Sequence, residues 1–520
     1  MQRSLRWSLL VGILIIAAFL RFYHLTTIPA GLYPDEAMDG NNATEVAETG
    51  HFQPFYVEDN GREGLYVNIL AVVIKIAPVA DKTQPWIVRV PAAFAGVATV
   101  WGFYLLVGEL LGDATGLLAA FLLATSFWGI IFSRIGFRAI LAPLFLIWAL
   151  WLLLKAFRAR RRKGGGMDEA DDKTTGWWYA ALAGAVYATG FYTYIAYRDT
   201  PILFLLFIPF FRTTPGFWKK TALFIAVAVI VSLPIGWYFV SHPGSFFGRT
   251  AEIAVTTGTN PIHDFGVNVG KELLMFNVRG DYNWRQNVSG APELFWPVGI
   301  LFLLGIAVSG TSLWKHWRSR HKKDPTERTM QDSDDIFPPF ALLLTFAWFA
   351  FGILPAAASD EGIPHALRSI LALAPALIFT AIGGIWAYRL MTRKLEWNPS
   401  IAKTIAALFL AFVAIGGYTE YFITWARNPN VPGAFNADYV TVGDAMNALP
   451  IATPKYVIVN AGGVPARGIP VPAETVMFIT HSFTAADASA GNIHYIVPAG
   501  PNATGTIPEH TPQEDIFSVN

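Results

Sequence analysis

Two adjacent carboxylates, Asp35 and Glu36, follow Pro34 shortly after the first long apolar segment of the chain. Neighbouring side chains on a helix point about 100° apart. One carboxylate could therefore accept a proton while the other orients a reacting hydroxyl. The same residues are equally typical of a helix N-terminus, because proline and acidic side chains suit the first turn. Spacing alone leaves the catalytic and the structural interpretation open.

A set of arginines lies in the connections between apolar segments. Arg62 stands just before the apolar stretch 64–80, where a guanidinium at headgroup level can hold a lipid phosphate through two hydrogen bonds. Snorkelling of the side chain to a membrane interface explains a single arginine equally well. Together the arginines favour a substrate that carries both a phosphate and a lipid. Besides Arg62, the arginines of this set are Arg134, Arg138, Arg198, Arg285 and Arg368.

Other polar side chains accompany these arginines and are candidates for substrate binding: Tyr66, Tyr197, Asp281 and His365. Singly, each is more often part of a structural ion pair or a wetted loop. Asp35, Asp281 and His365 would form a divalent metal site if the fold brought them together. The sequence makes no cofactor certain.

The composition indicates a membrane protein. Of the 520 residues, 53% are hydrophobic and 14% are charged, whereas soluble domains carry about 25% charged residues. The sequence has no cysteine, which excludes disulfides and thiolate metal sites. A net charge of +1 gives no reason to expect a nucleic-acid partner. The sequence also lacks the motifs of P-loop proteins, zinc proteases and serine hydrolases.

Hydropathy predicts an all-α polytopic membrane protein with about eleven transmembrane helices. The first apolar segment has no small-residue cleavage site after it and is interpreted as a retained helix. The stretch 64–80 is interrupted by Asn68 and Lys75 and is predicted to lie along the membrane surface. The predicted spans are 7–23, 86–108, 114–132, 138–157, 177–195, 199–211, 221–240, 293–313, 338–355, 367–388 and 402–424.

Basic residues predict the orientation of these spans. Five short connections hold 22 of the 38 lysines and arginines, and with eleven crossings all five fall on one side. That side is predicted to be cytoplasmic. The N-terminus is then cytoplasmic and the C-terminus extracytoplasmic, in a multi-pass protein of the cell (plasma) membrane. The long loops 24–85 and 241–292 lie outside.

The tail 425–520 differs in composition from the predicted transmembrane domain 1–424 and is rich in glycine and proline. We predict a small extracytoplasmic α/β domain with a helix over Asp438–Leu449 and a loose end after about Pro501. Three short runs predict its strands: Tyr456–Asn460, Val476–Thr480 and Ile493–Val497.

Several of these motifs resemble a known group of enzymes. The Asp35-Glu36 pair is similar to the acidic motif of the protein O-mannosyltransferase and aminoarabinose–lipid A transferase families, which belong to the C-type glycosyltransferase superfamily. The segments 62–68, 86–96 and 133–138 resemble the surface helix, the Arg-x-Pro start of the second span and a following loop of that group. Glu63 and Gly64 replace the two prolines that are common there. The large β-trefoil insert of the eukaryotic mannosyltransferases is missing, which weakens the case for a protein acceptor.

The resemblance implies an architecture and an activity. The donor would be a monosaccharide on a polyprenyl phosphate, and an acceptor hydroxyl of a lipid, glycan or protein would attack the anomeric carbon with inversion. Asp35 would be the general base, and Glu36 would position the acceptor or share the proton. Arg62, Arg138 and Arg368 would stabilise the leaving phosphate, with Arg134, Arg198 and Arg285 as further candidates. Arg89 would brace the first loop.

Two other interpretations stay open at this stage. A ligase or polymerase of polyprenyl-linked glycans would bind the same carrier with a different loop layout. A lipid or solute transporter would place its polar residues in mid-helix and would often show related halves, whereas here the charges lie at the predicted outer ends of the spans.

Overall fold

The computed structural model describes residues 3–79, 81–158, 169–246, 260–320, 337–498, 505–508 and 511–520. Helices make up most of this part of the chain. In chain order they are α1 (Arg3–Phe22), α2 (Pro34–Thr49), α3 (Leu65–Ile76), α4 (Pro85–Leu111), α5 (Asp113–Thr125), α6 (Phe127–Phe132), α7 (Leu141–Arg158), α8 (Glu169–Thr189), α9 (Pro201–Leu205), α10 (Phe207–Phe211), α11 (Phe217–Ser241), α12 (Pro261–Met275), α13 (Trp296–Arg320), α14 (Pro339–Ala357), α15 (Leu373–Arg389), α16 (Pro399–Tyr418), α17 (Asn430–Ala434), α18 (Ala437–Ala448), α19 (Glu474–Ile479) and α20 (Ala485–Ala490).

Eight of these helices are long and apolar enough to cross a membrane, and they coincide with eight of the predicted spans: α1, α4, α7, α11, α13, α14, α15 and α16. The other three predicted spans fall on interrupted helices. Span 114–132 is broken at Ser126, which is extended and caps α6 by accepting the Gly129 N–H at 3.4 Å. Span 177–195 ends in 3₁₀ turns after α8, and span 199–211 comprises the short helices α9 and α10. The figure of eleven crossings stays a prediction.

The predicted surface stretch 64–80 contains α3, which is helical over Leu65–Ile76. A hairpin precedes it, formed by β1 (Phe55–Tyr56) and β2 (Arg62–Glu63). Its turn places Asp59, Asn60 and Gly61 in left-handed backbone conformations, which Asp, Asn and Gly adopt most readily. The turn therefore directs Arg62 and Glu63 back toward α2.

Ion pairs near the two ends of helix α4 distinguish two faces of the protein. Near the start of α4, Arg89 pairs with Glu36 at 2.9 Å. Twenty residues later, roughly 30 Å along the helix, Glu109 pairs with Lys155 at 2.6 Å and with Arg158 at 3.2 Å. The acidic residues that follow α1 thus lie at the opposite end of the helices from the basic end of α7.

The C-terminal region contains a parallel sheet of three strands, β3 (Lys455–Val459), β6 (Ile493–Ile496) and β7 (Ile516–Val519), in the order β6-β3-β7. A small hairpin of β4 (Pro465–Ala466) and β5 (Ile469–Pro470) lies beside it. Helix α18 matches the predicted helix, and two of the predicted strands are present.

Two expectations for this region were wrong. The run Val476–Thr480 is not a strand: it lies in helix α19 as far as Ile479, and its apolar side chains are buried. A short apolar run has no periodicity that separates a buried helix from a buried strand. The end of the chain was predicted to be loose, but β7 pairs with the central strand β3 through Val457 and Phe517. Strand β7 lies at the edge of the sheet and pairs with a strand about 60 residues earlier in the chain. Local sequence does not reveal such a long-range pairing.

The C-terminal region packs directly on α2. Asn41 donates hydrogen bonds to the Glu474 carboxyl at 2.7 Å and to its carbonyl at 3.1 Å, and all these groups are buried. Thr475 donates to the Leu32 carbonyl at 2.8 Å. Burial raises the pKa of Glu474 to about 8, against the lowering effect of the Asn41 hydrogen bond. Burial thus favours the neutral form of this carboxyl, which accepts a hydrogen bond from the Asn41 amide.

Asn41→Ala should loosen this contact. Losing buried hydrogen bonds and leaving the Glu474 carboxyl unpaired costs roughly 1–3 kcal/mol of unfolding free energy. Thermal unfolding of the purified protein measures the loss, and limited proteolysis should show faster cleavage in the C-terminal region. Asn460→Ala, which removes an exposed hydrogen bond to Asn520, is the matched control. Equal effects of the two substitutions would contradict a special role for Asn41.

Candidate active site

Helix α2 begins where the sequence predicted a helix start. Tyr33 is extended, Pro34 occupies the first helical position, and Asp35 and Glu36 fill the first turn, where acidic side chains are favoured by the helix dipole. The Asp35 side chain is half-buried. Within the described ranges its carboxylate has no hydrogen-bond or ion-pair partner, although it lies within electrostatic reach of Arg62 and Asp39. A carboxylate in this state is available to an incoming hydroxyl.

Glu36 points the other way and is fully buried. Arg89 donates to its two oxygens at 2.9 and 3.1 Å, and the Gly136 N–H donates at 2.7 Å. A fourth donor, the Tyr33 N–H, lies at 3.3 Å. The same Arg89 also donates to the carbonyls of Pro29 and Gly31, both at 2.7 Å. These contacts favour a positioning role for Glu36, because sharing a proton with substrate would break an arginine–carboxylate pair.

Arg62 is also fully buried. It donates to the Asp39 carboxylate at 2.7 Å and to the Asp35 carbonyl at 3.1 Å, and it forms a short ion pair with Asp59. Burial raises the pKa of Asp39, against the lowering effect of Arg62 and Arg138. Sequence reasoning missed Asp39 as a site residue, although its position four residues after Asp35 places both on one face of α2.

Glu63 joins two of the other predicted arginines. Its oxygens accept from Arg138 at 3.3 Å and from Arg198 at 3.0 Å. The Arg198 guanidinium also lies against the Phe239 ring, 4.8 Å from its centroid. Glu63 had been noted only as a departure from the family pattern. The structure makes it the residue that holds two guanidinium groups next to each other, so we define Asp35, Asp39, Asp59, Arg62, Glu63, Arg138 and Arg198 as the first cluster.

A second cluster forms between the loop 279–294 and the residues before α15. The Asp281 carboxylate accepts the N–H groups of Asn283 at 2.7 Å and Ala366 at 2.8 Å, and it lies 3.8 Å from the His365 ring. Glu272 accepts the Ser369 hydroxyl at 2.6 Å and the His365 N–H at 2.9 Å. The chain order gave no signal for Glu272, which comes from helix α12.

Desolvation governs the carboxyl groups of this second cluster. Burial raises the pKa of Glu272 to about 7 and that of Asp281 to about 6. Hydrogen bonds from the Ser369 hydroxyl and a backbone N–H oppose the shift of Glu272, and two backbone N–H groups oppose that of Asp281. The positive charge of Arg368 opposes both shifts. Arg368 itself donates to the Glu361 carbonyl at 2.8 Å.

Arg285 links the two clusters. Its guanidinium lies 3.9 Å from the centroid of the Tyr33 ring, and Tyr33 precedes the first turn of α2. The three residues of the suggested metal site do not converge: within the described ranges, Asp281 and His365 meet, but Asp35 does not join them in a group with metal-ligand spacing.

Three predicted residues serve packing in this structure. Arg134 is fully buried, where it donates to the carbonyls of Leu20 at 3.1 Å and Ile28 at 3.0 Å. Tyr66 is fully buried and donates to the Val88 carbonyl at 2.7 Å. Tyr197 is fully buried between aromatic rings, 5.4 Å from Phe191. These contacts fix the connections that carry the clusters and leave none of the three side chains facing solvent.

An apolar groove of about 730 Å³ runs along α7, α8 and α11. One end of the groove is lined by Trp237 and Val240, which flank Phe239, the ring that contacts Arg198. Phe191, on its other wall, packs against Tyr197. The groove therefore adjoins the first cluster, and its lining suits a hydrocarbon chain.

Comparison with known proteins gives the class of fold. A family model described as dolichyl-phosphate-mannose-protein mannosyltransferase matches residues 68–238, which is less than half of the chain. ArnT from Cupriavidus metallidurans, solved with undecaprenyl phosphate, superposes with a TM-score of 0.51 at 12% identity, over 95% of this chain and 90% of that one. A comparison with curated proteins yields no significant match.

Two archaeal structures agree with this result. The oligosaccharyltransferase of Archaeoglobus fulgidus in its apo form superposes with a TM-score of 0.53 at 13% identity, over 92% of this chain and 64% of that one. AglB from the same organism, in complex with an inhibitory peptide and a dolichol-phosphate, gives a TM-score of 0.51 at 13% identity, over 94% and 68% of the two chains.

The chain therefore has the fold of the C-type glycosyltransferases. Within this class it resembles the protein mannosyltransferase and ArnT families, so the resemblance predicted from the sequence is confirmed.

Proposed function

We propose that this protein is a membrane glycosyltransferase that moves a monosaccharide from a polyprenyl-phosphate carrier to an acceptor hydroxyl on the outer face of the membrane. The observation that carries the proposal is the position of Asp35. This half-buried carboxylate, unpaired within the described ranges, lies within electrostatic reach of the buried Arg62 of the first cluster, and that cluster adjoins an apolar groove.

The solved relatives support the choice of donor. ArnT was captured with undecaprenyl phosphate and AglB with a dolichol-phosphate and a peptide, and the matching family model is named for dolichyl-phosphate mannose. A lipid chain in the groove would bring its phosphate to the end of α11, close to Arg198. The acceptor would be a lipid, a glycan or a protein.

The proposed reaction is a single displacement. The acceptor oxygen attacks the anomeric carbon as Asp35 takes the hydroxyl proton, and the bond from that carbon to the phosphate oxygen breaks with inversion. The electron pair leaves with the polyprenyl phosphate, so negative charge develops on the phosphate. Fixed guanidinium groups stabilise such charge because they need no reorganisation during the reaction. Asp35 then passes its proton to water.

Contacts within the first cluster rank the candidate phosphate ligands. Arg62 uses both terminal nitrogens on the carboxylates of Asp39 and Asp59, so its charge is already balanced. Arg138 and Arg198 have Glu63 as their shared ion-pair partner, which is one paired carboxylate for two guanidinium groups. We infer that these two bind the donor phosphate, and that Arg62 holds the carboxylates of α2 in place.

Arg198→Ala should weaken donor binding by roughly tenfold to a hundredfold, because a hydrogen bond to a charged group contributes about 1.5–3 kcal/mol. Binding of a polyprenyl phosphate to the purified protein, followed by intrinsic tryptophan fluorescence, measures the change. Arg62→Ala should instead lower thermal stability, because it leaves buried carboxylates without a counter-charge. A larger loss of donor affinity in the Arg62 variant than in the Arg198 variant would reverse this ranking.

We also propose that the N-terminus is cytoplasmic and that the C-terminal domain 425–520 lies on the outer face. The separation of the basic and acidic helix ends supports a single outer site. Cysteine accessibility labelling tests this topology cleanly, because the native chain has no cysteine. A cysteine introduced at Ser4 should react only with a thiol reagent on the cytoplasmic side. A cysteine introduced at Ser518 should react only with a reagent on the outer side.

The activity itself is tested by incubating purified protein with labelled polyprenyl-phosphate sugars and an extract of candidate acceptors. Transfer of label from a lipid carrier to an acceptor would establish both the class of reaction and the donor. Binding of the carrier without transfer from any donor, or its movement between leaflets, would favour a transporter.

A further inference from the structure

Three side chains of residue types that can ligate metals lie together at the end of α2 opposite the candidate active site. Glu48 lies in the last turn of α2, His481 in the turn after α19, and Asp487 in the first turn of α20. One ligand atom of each lies within 4.8 Å of the other two. Among the residues that the structure describes, no other group of three His, Asp or Glu side chains has this spacing.

The spacing suits a metal ion. His481 Nε2 and Glu48 Oε1 are 3.2 Å apart. Ligands at 2.0–2.1 Å from a tetrahedral zinc ion lie about 3.3–3.4 Å from each other, so these two atoms already have the separation of neighbouring ligands. The structure also has a small cavity of about 10 Å³ that all three residues line, which is close to the space that one water molecule or ion needs.

The three residues are held on preformed elements. The turn that carries His481 is closed by hydrogen bonds from the His481 N–H to Phe478 at 3.2 Å and from the Ser482 N–H to Met477 at 2.9 Å. The N–H of Asp487 donates to the Thr484 hydroxyl at 3.1 Å, which caps α20. Little further ordering would be needed to bind an ion.

The charges favour a divalent cation. Glu48 and Asp487 bring two carboxylates close together, and an imidazole that ligates a metal would add no charge. The nearby Glu45 is already paired with Arg467 at 2.6 Å, so this arginine is not free to balance them. A nitrogen ligand together with carboxylates selects zinc-like metals, whereas Mg²⁺ and Ca²⁺ prefer oxygen ligands alone.

We propose that Glu48, His481 and Asp487 bind one divalent metal ion of the zinc class, with water completing its coordination. The site lies about 20 Å along α2 from Asp35, so its role is to fasten the C-terminal region to α2 rather than to act on the sugar. The proposal does not depend on the proposed transferase activity.

The test uses full-length protein in detergent, stripped with EDTA and titrated with ZnCl₂ by isothermal calorimetry. The native chain should bind one tight equivalent, and its melting temperature should rise with zinc and not with MgCl₂. His481→Ala and Glu48→Gln should each weaken binding by more than about tenfold. Glu48→Gln keeps the shape of a side chain that is about half exposed, so its folding is not at risk.

His494→Ala is the matched control, because His494 is an exposed histidine on β6, where its ring contacts Asn492 and Tyr456. It should leave the number of zinc equivalents and the zinc-dependent rise in melting temperature unchanged. The proposal is overturned if the native chain binds no tight equivalent. It is also overturned if His481→Ala binds zinc as the native chain does, or if His494→Ala loses as much binding as His481→Ala.

Discussion

Asp35→Asn should lower the rate of sugar transfer by about 10²–10⁴-fold, which is the usual contribution of a positioned general base. The asparagine amide has nearly the same shape as the carboxylate and cannot take the acceptor proton. Because the Asp35 carboxylate has no hydrogen-bond or ion-pair partner within the described ranges, the substitution should leave the melting temperature and donor binding close to those of the native protein.

Initial rates with a labelled polyprenyl-phosphate sugar measure this effect, and thermal unfolding reports on the fold. Asp264→Asn is a suitable control, because Asp264 is an exposed carboxylate on helix α12 that forms an ion pair with the neighbouring His263. Its rate should be unchanged. More than about one tenth of native activity in Asp35→Asn would remove Asp35 from the role of base.

Arg89→Leu should have the largest effect on stability, lowering the free energy of unfolding by about 3–5 kcal/mol. The substitution leaves the Glu36 carboxylate buried without its counter-charge. It also removes the donors for the carbonyls of Pro29 and Gly31. The loop that precedes α2 would then lose the Arg89 hydrogen bonds that hold it in place.

Unfolding in a mixed detergent and SDS titration measures this change. Arg6→Leu removes an ion pair of similar length, 2.8 Å to Asp113, but at partly exposed side chains, and should change stability little. Arg89→Lys should give an intermediate loss of unfolding free energy, because lysine keeps the positive charge but lacks the planar guanidinium that binds a carboxylate through two hydrogen bonds. If Arg89→Leu were as stable as Arg6→Leu, the Glu36–Arg89 pair would not brace the loop.

These two predictions separate the roles of neighbouring carboxylates. Asp35 and Glu36 are adjacent in the sequence and had the same claim to chemistry. On α2 they point in different directions, and only Glu36 meets Arg89 and the Gly136 N–H. In the proposed reaction the half-buried Asp35 takes the proton, and the buried Glu36 holds the helix that presents it.

Local sequence predicted the long helices well for a physical reason. A helix that spans a membrane must be apolar over about 20 residues, and hydropathy sums this property residue by residue. The predictions were weaker where the helices are interrupted, as at Ser126, since a break is set by packing and capping as well as by composition. The same limit explains the run Val476–Thr480, where apolar residues suited a buried helix and a buried strand equally.

The sequence by itself determined that the chain is a helical membrane protein, and it singled out Asp35 and most of the arginines near it. Only the tertiary structure decided which charges pair. Glu36 finds Arg89 at a separation of 53 residues, and Glu63 finds Arg198 at a separation of 135. A charge in a low-dielectric setting takes its properties from its nearest counter-charges, and those neighbours are fixed by the packing of distant segments.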